Sequence, residues 1–521
     1  MKKILQFFKS KYFAAICAGT LCNLAFAPLH FFPAAIISIS IFYFLCEKSQ
    51  SRKESFWLGW CYGFGYFVAG IYWISISLLV DAQSFAWLIP FALTLIPSVL
   101  ALYFALLAVS FYFIVKKFSF SKNYEKFLIF AIFWIVSEIL RAFLFTGFPW
   151  NLLGYVWMFN DAAIQVASIF GVWGLSFFAV LFSLLPILFL NKNLSKGDKI
   201  FASTIFISLL ASLIFGHLRI DDEKIVSDKN LKLRLVQGNI KQEMKWDARE
   251  KRSNLMKHIE MTKSRDTSEI AAVIWSETSV PYAIDPFSGI VDTLQLAVPN
   301  HIGGGGMLVT GGLRLEMSSD ENIENVWNSV FTFGNKGIIA SYDKHHLVPF
   351  GEYVPLQKYL PFVQKITNGA IGFSQGSGPK TIHGDLISIS PLLCYEVIFP
   401  DKIIDRNDRP ELLVNLTNDA WFGNSTGPYQ HFDMARMRAV EYGIPLARVA
   451  NTGITAFFDP YGRVVNKINL NQEGIIDVDL VKNLEPTIYS RYCFVPLILL
   501  VSFLLIFLAH RKNVIRQNHS S

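Results

Sequence analysis

Long apolar segments constrain the fold of this 521-residue chain more than any other feature of its sequence. Only 17% of the residues are charged, against roughly a quarter in an ordinary soluble protein. A helix of about 20 apolar residues crosses the hydrocarbon core of a bilayer. The sequence therefore predicts a membrane α-helical bundle of about eight spans. The candidate spans are 12–28, 31–46, 56–79, 86–115, 127–143, 162–190, 200–216 and 494–509.

The ends of these spans are approximate, because several are shorter than the usual length. The first two are separated only by a turn at 28–30, so one broken or re-entrant hairpin is an alternative there. No small-residue cleavage site is clear before the next span, and we interpret the first apolar run as a retained helix.

The positive charges predict the orientation of the chain in the membrane. With a cytoplasmic N-terminus, every cytoplasmic segment carries lysine or arginine, whereas the opposite loops around 30 and 80–84 carry neither. This asymmetry follows the positive-inside rule. It places both termini in the cytoplasm and the polar region that follows the seventh span outside it. The cations are Lys2, Lys3, Lys9, Lys11, Lys48, Arg52, Lys53, Lys116, Lys117, Lys122, Lys126, Lys192, Lys196, Lys199, Arg511, Lys512 and Arg516. They explain the net charge of +7, so no nucleic-acid partner is expected.

Residues 221–485 form the one long polar region, which predicts three parts: 1–220, 221–485 and 486–521. Short apolar runs alternate here with helical patterns at 248–265 and 434–442. Such alternation favours a layered α/β domain. The glycine run at 303–306 lacks the Lys-Ser/Thr ending of a phosphate loop and predicts a turn. The strand-like runs are 231–237, 270–275, 307–311, 330–333, 387–393 and 412–416.

Three residues of this region predict nucleophilic catalysis. Cys394 is its only cysteine, and Glu277, Lys344 and Cys394 each follow a separate strand-like run. Each alone has an ordinary explanation: a cysteine in the core, a solvent-exposed carboxylate and a surface charge. Together they can meet at one sheet edge as nucleophile, base and electrostatic stabiliser.

A metal site is not predicted. The neighbouring side chains of His345 and His346 point apart in an extended segment, and no second cluster of ligands accompanies them. We expect no cofactor.

The order Glu277, Lys344, Cys394 resembles the Glu-Lys-Cys triad of the nitrilase superfamily, whose fold is an αββα sandwich. Longer motifs resemble the bacterial apolipoprotein N-acyltransferase family over nearly the whole chain. They are Thr-Gly-Phe-Pro-Trp at 146–150, Val-Gln-Gly-Asn at 236–239, Lys344 to Pro355, Cys-Tyr-Glu at 394–396, Asn-Asp-Ala-Trp-Phe-Gly at 418–423, 436–439 and Asn-Thr-Gly-Ile-Thr at 451–455.

The resemblance implies that a phospholipid donates an acyl chain to Cys394 as a thioester. The chain then passes to the N-terminal amine of the diacylglyceryl-cysteine of an apolipoprotein, in a ping-pong reaction. Glu277 would be the base, and Lys344 would stabilise the oxyanion. The resemblance also implies the bacterial inner membrane, with a periplasmic catalytic domain; we expect a monomer.

Further residues match the family's site. Glu352 and Glu396 would orient Lys344, and Asn328 would line the pocket. Trp246 and Tyr395 would lie around a lipid entrance, and Trp421 would contact lipid. Arg141, at the outer end of the fifth span, could meet a phosphate head group or snorkel to the interface.

Three other functions remain to be weighed. A membrane-anchored carbon-nitrogen hydrolase (amidase or nitrilase) acting on a small amide explains the triad but not the number of spans. A sensor with a structural Cys394 explains neither Glu277 nor Lys344. A transporter would require charges at mid-membrane depth, and the spans offer none beyond Glu138 beside Arg141.

Overall fold

The computed structural model describes residues 10–190, 194–226, 230–285, 288–320, 322–359, 365–366 and 371–520, with only the backbone of 512–520. Lys2, Lys3, Lys9 and Lys192 and the side chains of Lys512 and Arg516, used above for orientation, lie outside the described residues. The chain forms two compact units. One consists of 1–75, 87–220 and 487–521; the other consists of 221–486 together with the short segment 76–86.

The first unit is helical. Its main helices are Lys11–Cys22 (α1), Pro33–Glu47 (α2), Arg52–Ile71 (α3), Ile89–Lys117 (α4), Asn123–Phe143 (α5), Ala167–Phe189 (α6), Lys196–Arg219 (α7) and a last helix, Val495–Ser520. Glycines let these helices pack closely. A Cβ on Gly19 of α1 would lie 2.0 Å from the Tyr62 carbonyl of α3, and one on Gly59 of α3 would lie 2.4 Å from the Phe104 carbonyl of α4.

The structure supports a membrane protein but does not confirm the count of eight spans. Among the described residues, four helical segments are long and apolar enough to cross a bilayer: Ala82–Lys117, Asn123–Thr146, Ala167–Phe189 and Lys196–Arg219. The apolar helices Pro33–Glu47 and Val495–Arg511 are shorter. The first helix ends after 12 residues, where a 3₁₀ turn at Asn23–Ala25 follows it.

The second unit contains two six-stranded sheets. The strands are Lys232–Gln237 (β1), Ile270–Ile274 (β2), Met307–Met317 (β3), Ile323–Gly334 (β4), Gly337–Asp343 (β5), Ile382–His383 (β6), Ser388–Leu393 (β7), Leu412–Thr417 (β8), Leu446–Ala450 (β9), Thr455–Phe458 (β10), Val464–Ile468 (β11) and Gly474–Asp479 (β12). The sheet orders are β12-β1-β2-β3-β4-β5 and β11-β10-β9-β8-β7-β6. The helices between them are Gln242–Lys245 (α8), Lys251–Lys263 (α9), Ile290–Gln295 (α10) and Gly427–Tyr442 (α11).

The sheets stack face to face, with helices outside them. Leu233 and Leu235 of β1 share one buried apolar cluster with Val414 and Leu416 of β8. Val236, on the opposite face of β1, packs in a second cluster with residues of α9, and α11 contacts the other sheet. Successive side chains of β1 point to opposite faces of the sheet and therefore pack in both clusters. The prediction of a layered α/β domain is confirmed.

The parallel strands bring the site together. β1, β2 and β3 are mutually parallel, as are β7, β8 and β9. Glu277 follows β2, Cys394 follows β7 and Asp419 follows β8. Carboxyl ends of parallel strands lie at one edge of a sheet, which is where ligands usually bind.

Candidate active site

Cys394 directly follows β7 and is the first residue of a 3₁₀ turn, Cys394–Ile398. Its φ is +47°, in the left-handed region, which costs a non-glycine residue about 1–3 kcal/mol. The side chain is 8% exposed. Strain of this kind persists only where the surrounding contacts impose it, and it occurs often at catalytic residues.

Glu277, Lys344, Glu352 and Asn328 form one buried network. The Lys344 ammonium donates to Glu352 Oε1 at 2.9 Å and lies 3.8 Å from Glu277 Oε1. Asn328 Nδ2 donates to Glu277 Oε1 at 2.8 Å and to Glu352 Oε1 at 3.2 Å. The second oxygen of Glu352 accepts the backbone N–H of Val348 at 2.8 Å. The ammonium is therefore held by two carboxylates, which Asn328 links.

The charges of this network act on the thiol. Burial raises the pKa of Cys394, the charge of Glu277 raises it further, and Lys344 opposes both. Burial alone would lower the pKa of Lys344, but Glu352 and Glu277 hold it well above its ordinary value. At neutral pH the structure thus pairs a protonated thiol with a charged lysine. Such a thiol needs a base before it can attack.

Glu396 supports this network through the residues next to Lys344 and Cys394 in the sequence. We predicted that it orients Lys344; its hydrogen bonds go to groups beside that lysine, and its orienting role stays a prediction. The carboxylate accepts from the backbone N–H groups of Leu393 (2.7 Å), His345 (2.7 Å) and His346 (3.2 Å) and from the hydroxyl of Tyr342 (2.9 Å). It thereby ties the strand that ends at Cys394 to the segment that follows Lys344.

A second buried cluster, which the sequence did not indicate, lies behind Cys394. His431 Nε2 contacts the Cys394 carbonyl at 3.1 Å, and its Nδ1 contacts Asp419 Oδ1 at 2.9 Å. Arg448 Nη2 donates to Asp419 Oδ2 at 2.5 Å. Burial and Arg448 lower the pKa of His431, and its two ring nitrogens link the Cys394 turn to Asp419.

The same cluster is a poor metal site. Ligand atoms of Cys394, Asp419 and His431 lie within 4.8 Å of one another. The guanidinium of Arg448, bonded to Asp419 and 3.3 Å from His431 Nδ1, already supplies the positive charge there. The geometry suits a cluster that holds the Cys394 turn in place better than one that binds a metal ion.

Lys245 is a further residue that the sequence analysis missed. It is buried, and its ammonium donates to the main-chain carbonyl of Glu277 at 2.8 Å. Its position directly before Trp246 was the one available signal, but nothing in that segment distinguishes a buried lysine from a surface one.

Of the aromatic residues assigned to lipid contacts, the two tryptophans are partly accessible and Tyr395 is buried. Trp246 is half-buried, with the Lys251 ammonium 5.7 Å from its ring centroid. Trp421 is half-buried, and its carbonyl accepts the Ser77 hydroxyl at 2.8 Å. Tyr395 is 7% exposed and packs edge-on against Phe399. Their role in lipid binding stays a prediction.

Arg141 is not available to a lipid head group, which corrects that prediction. The side chain is 3% exposed. Its Nη1 donates to the carbonyls of Phe148 at 2.5 Å and Trp150 at 2.6 Å, and the guanidinium lies over the Phe67 ring. Nearby Glu138 accepts from Trp134 Nε1 and from the backbone of Leu153. Arg141 therefore holds the turn at 146–150 by satisfying its carbonyls.

The two-sheet domain, its Glu-Lys-Cys cluster and the apolar helices define a membrane protein with a carbon-nitrogen hydrolase domain. Residues 232–489 match the carbon-nitrogen hydrolase family, and residues 18–185 match the apolipoprotein N-acyltransferase N-terminal domain. The chain belongs to the apolipoprotein N-acyltransferase family.

Similar proteins share most of the chain. Apolipoprotein N-acyltransferases of Rickettsia typhi and Rickettsia bellii are 37% and 38% identical to it, each over 94% of this chain and 96% of theirs. The one from Rhodopseudomonas palustris is 34% identical over 96% of this chain and 95% of its own. Among solved structures, the CN-hydrolase superfamily protein XC1258 from Xanthomonas campestris aligns with 18% identity and a TM-score of 0.36, covering 48% of this chain and 90% of that protein.

The match of residues 18–185 decides between the two enzyme functions considered above. A membrane-anchored hydrolase of small amides would share the catalytic domain but would not require that N-terminal domain.

Proposed function

We propose that this enzyme transfers an acyl chain from a membrane phospholipid, through a thioester on Cys394, to the N-terminal amine of a diacylglyceryl-cysteine on apolipoproteins. The observation that carries the proposal is the likeness to apolipoprotein N-acyltransferases over 94% of the chain. The buried cluster of Glu277, Lys344 and Cys394 provides the chemistry.

The first half-reaction forms the thioester. Glu277 takes the proton of the Cys394 thiol, and the thiolate attacks an ester carbonyl of the phospholipid. The negative charge that develops on the carbonyl oxygen is stabilised by the Lys344 ammonium, which Glu352 keeps charged. When the tetrahedral intermediate collapses, the lysophospholipid oxygen leaves with the proton from Glu277.

The second half-reaction forms the amide. The amine of the acceptor attacks the thioester, Glu277 accepts a proton from the nitrogen, and the Cys394 sulfur leaves and regains its proton. A thioester suits this step because amines cleave it readily. The same base and the same ammonium serve both steps, and the thioester links them in a ping-pong reaction.

The localisation we propose rests on the distribution of charge. The described segments 48–53 and 116–117 carry Lys48, Arg52, Lys53, Lys116 and Lys117, whereas 80–84 carries no cation. Under the positive-inside rule, the catalytic domain lies on the periplasmic side of the inner membrane, and both termini are cytoplasmic. A diacylglyceryl acceptor exported across that membrane reaches the site from outside.

One assay tests both the activity and the orientation. Right-side-out membrane vesicles containing the enzyme receive a diacylglyceryl peptide with a charged peptide portion, which does not cross the bilayer. We expect the peptide to gain the mass of one acyl chain, and we expect vesicles with Cys394→Ala or Cys394→Ser to leave it unchanged.

The controls separate the two claims. Transfer that occurs only after the vesicles are permeabilised would reverse the orientation and leave the reaction intact. No transfer in either preparation, with folded enzyme present, would refute the proposed activity. Normal transfer by Cys394→Ala would remove the thioester from the reaction.

A further inference from the structure

Lys245 is a buried cation that contacts the main chain of the proposed base, Glu277. It ends α8 and is 4% exposed. Among the described residues, its hydrogen-bond acceptor is the main-chain carbonyl of Glu277, at 2.8 Å, rather than a carboxylate. Burying an ammonium without an ion-pair partner is costly. Burial lowers the pKa of Lys245 to about 8, although the charges of Glu277 and Cys394 both oppose this shift.

The surroundings of Lys245 are polar. Lys245 lines a small cavity of about 10 Å³ together with His258, Asn254, Ser276, Thr278 and Asn451. Asn254 holds α8 through the Met244 carbonyl at 3.1 Å. Burial lowers the pKa of His258 to about 4, so this ring is neutral near pH 7. In the described part of the chain, the titratable groups that face Lys245 are Glu277, Cys394 and the neutral His258.

The backbone that carries Glu277 is clamped between Lys245 and β3. Thr278, the next residue, has a φ of +46°. On the strand side, Gly311 leaves room for this chain segment, since a Cβ there would lie 2.4 Å from the Thr278 nitrogen. On the other side, the ammonium holds the Glu277 carbonyl. Losing the hydrogen bond from Lys245, or adding a side chain at Gly311, would let this strained segment move.

We infer that Lys245 is a positioning residue for Glu277 and that its ammonium favours the Cys394 thiolate as a second positive charge besides Lys344. The inference rests on the proposed function, in which Glu277 activates Cys394. Lys344 faces the carboxylate end of Glu277, whereas Lys245 holds its main chain. The two lysines therefore have separate roles.

The inference has a pH signature because Lys245 titrates. Below about pH 8 the ammonium is charged and favours the thiolate; above it the amine is neutral and does so no longer. Lys245→Met keeps the length of the side chain but has no charge at any pH. Lys245→Arg keeps a positive charge throughout the range.

The test measures the rate at which iodoacetamide alkylates Cys394 in the purified full-length protein, read from the mass of the peptide bearing Cys394. We expect Lys245→Met to react about tenfold more slowly than the wild type at pH 6.5, equivalent to about one pKa unit. The difference should vanish by pH 9.5. Lys245→Arg should match the wild type at pH 6.5 and exceed it about tenfold at pH 9.5.

The control is Lys257→Met on α9, which removes a lysine paired with Glu473 at the surface and should follow the wild type at every pH. A Lys245→Met deficit that is constant across pH would indicate a structural role only and would overturn the inference. If Lys245→Met does not fold, Lys245→Arg decides: a profile identical to the wild type contradicts the inference. The assay contains no lipid, so its outcome is independent of whether acyl transfer is observed.

Discussion

Cys394 illustrates how the fold creates reactivity at a single residue. Its strained turn is held by the contact of His431 Nε2 with its carbonyl and by the hydrogen bond from the Leu393 N–H to Glu396. Burial and the charge of Glu277 keep the thiol protonated. The nucleophile is thus inert until a proton moves to a neighbouring base, which protects a buried thiol between turnovers.

We expect Glu277→Gln to slow formation of the acyl-enzyme about 100-fold or more, because an amide cannot accept the thiol proton. The amide can still bind Asn328 and keeps the shape of the site. Single-turnover incubation with phospholipid, followed by the mass of the Cys394 peptide, measures this rate. Glu269→Gln, at an exposed position, is the matched control. Wild-type accumulation of the adduct in Glu277→Gln would assign the base elsewhere, with Glu352 and Glu396 as candidates.

At the scale of elements, two adjacent glycines of β3 face different groups: Gly311 faces the backbone of the proposed base, and Gly312 faces an apolar side chain. A Cβ on Gly311 would meet backbone atoms of Glu277 and Thr278 at 2.8 and 2.4 Å. A Cβ on Gly312 would meet the Ile284 Cδ1 atom at 2.5 Å. A flexible side-chain end can move aside, whereas the backbone of the base cannot move without displacing the carboxylate.

We therefore expect Gly311→Ala to lower acyl transfer about 100-fold, while Gly312→Ala keeps most of the activity. Overpacking costs about 1–3 kcal/mol in stability at either position. Thermal unfolding of both variants in detergent separates the stability effect from the catalytic one. Equal loss of transfer in the two variants, at equal stability, would contradict the positioning of Glu277 by β3.

The sequence was informative about elements where burial gives a clear pattern. The runs at 270–275, 387–393 and 412–416 are mostly apolar and became β2, β7 and β8. β11 was missed because its sequence Val-Val-Asn-Lys-Ile is largely exposed, so no alternation marks it. β9 was missed because buried Arg448 interrupts its apolar run.

The site was only partly predictable for a related reason. Glu277, Lys344 and Cys394 could be found because each follows a strand and matches a family motif. Lys245, His431 and Arg448 could not, because their importance comes from burial and long-range contacts. Arg448, for example, meets Asn415 and Asp419 through pairing of β8 with β9. Arg141 was misassigned because a cation near a span end suggests the interface, whereas the turn at 146–150 folds back over it.

At the scale of the whole molecule, the chain combines apolar helices with a hydrolase-type domain. Four described helices are long and apolar enough to cross a membrane, and the resulting anchor exceeds what tethering alone requires. A lipid acyl donor would explain the additional helices, since the substrate of the first half-reaction resides in the bilayer.

The central claim is that one acyl chain passes through Cys394, and a pulse–chase measurement tests it most directly. Purified enzyme is incubated with phospholipid carrying an isotope-labelled acyl chain, freed of unreacted lipid and then given a diacylglyceryl peptide. We predict that the Cys394 peptide first carries the labelled chain as a hydroxylamine-sensitive thioester. The label should then move in equal amount to the amine of the added peptide. A peptide that acquires label while Cys394 never does, or a labelled Cys394 that the peptide cannot discharge, would contradict the account.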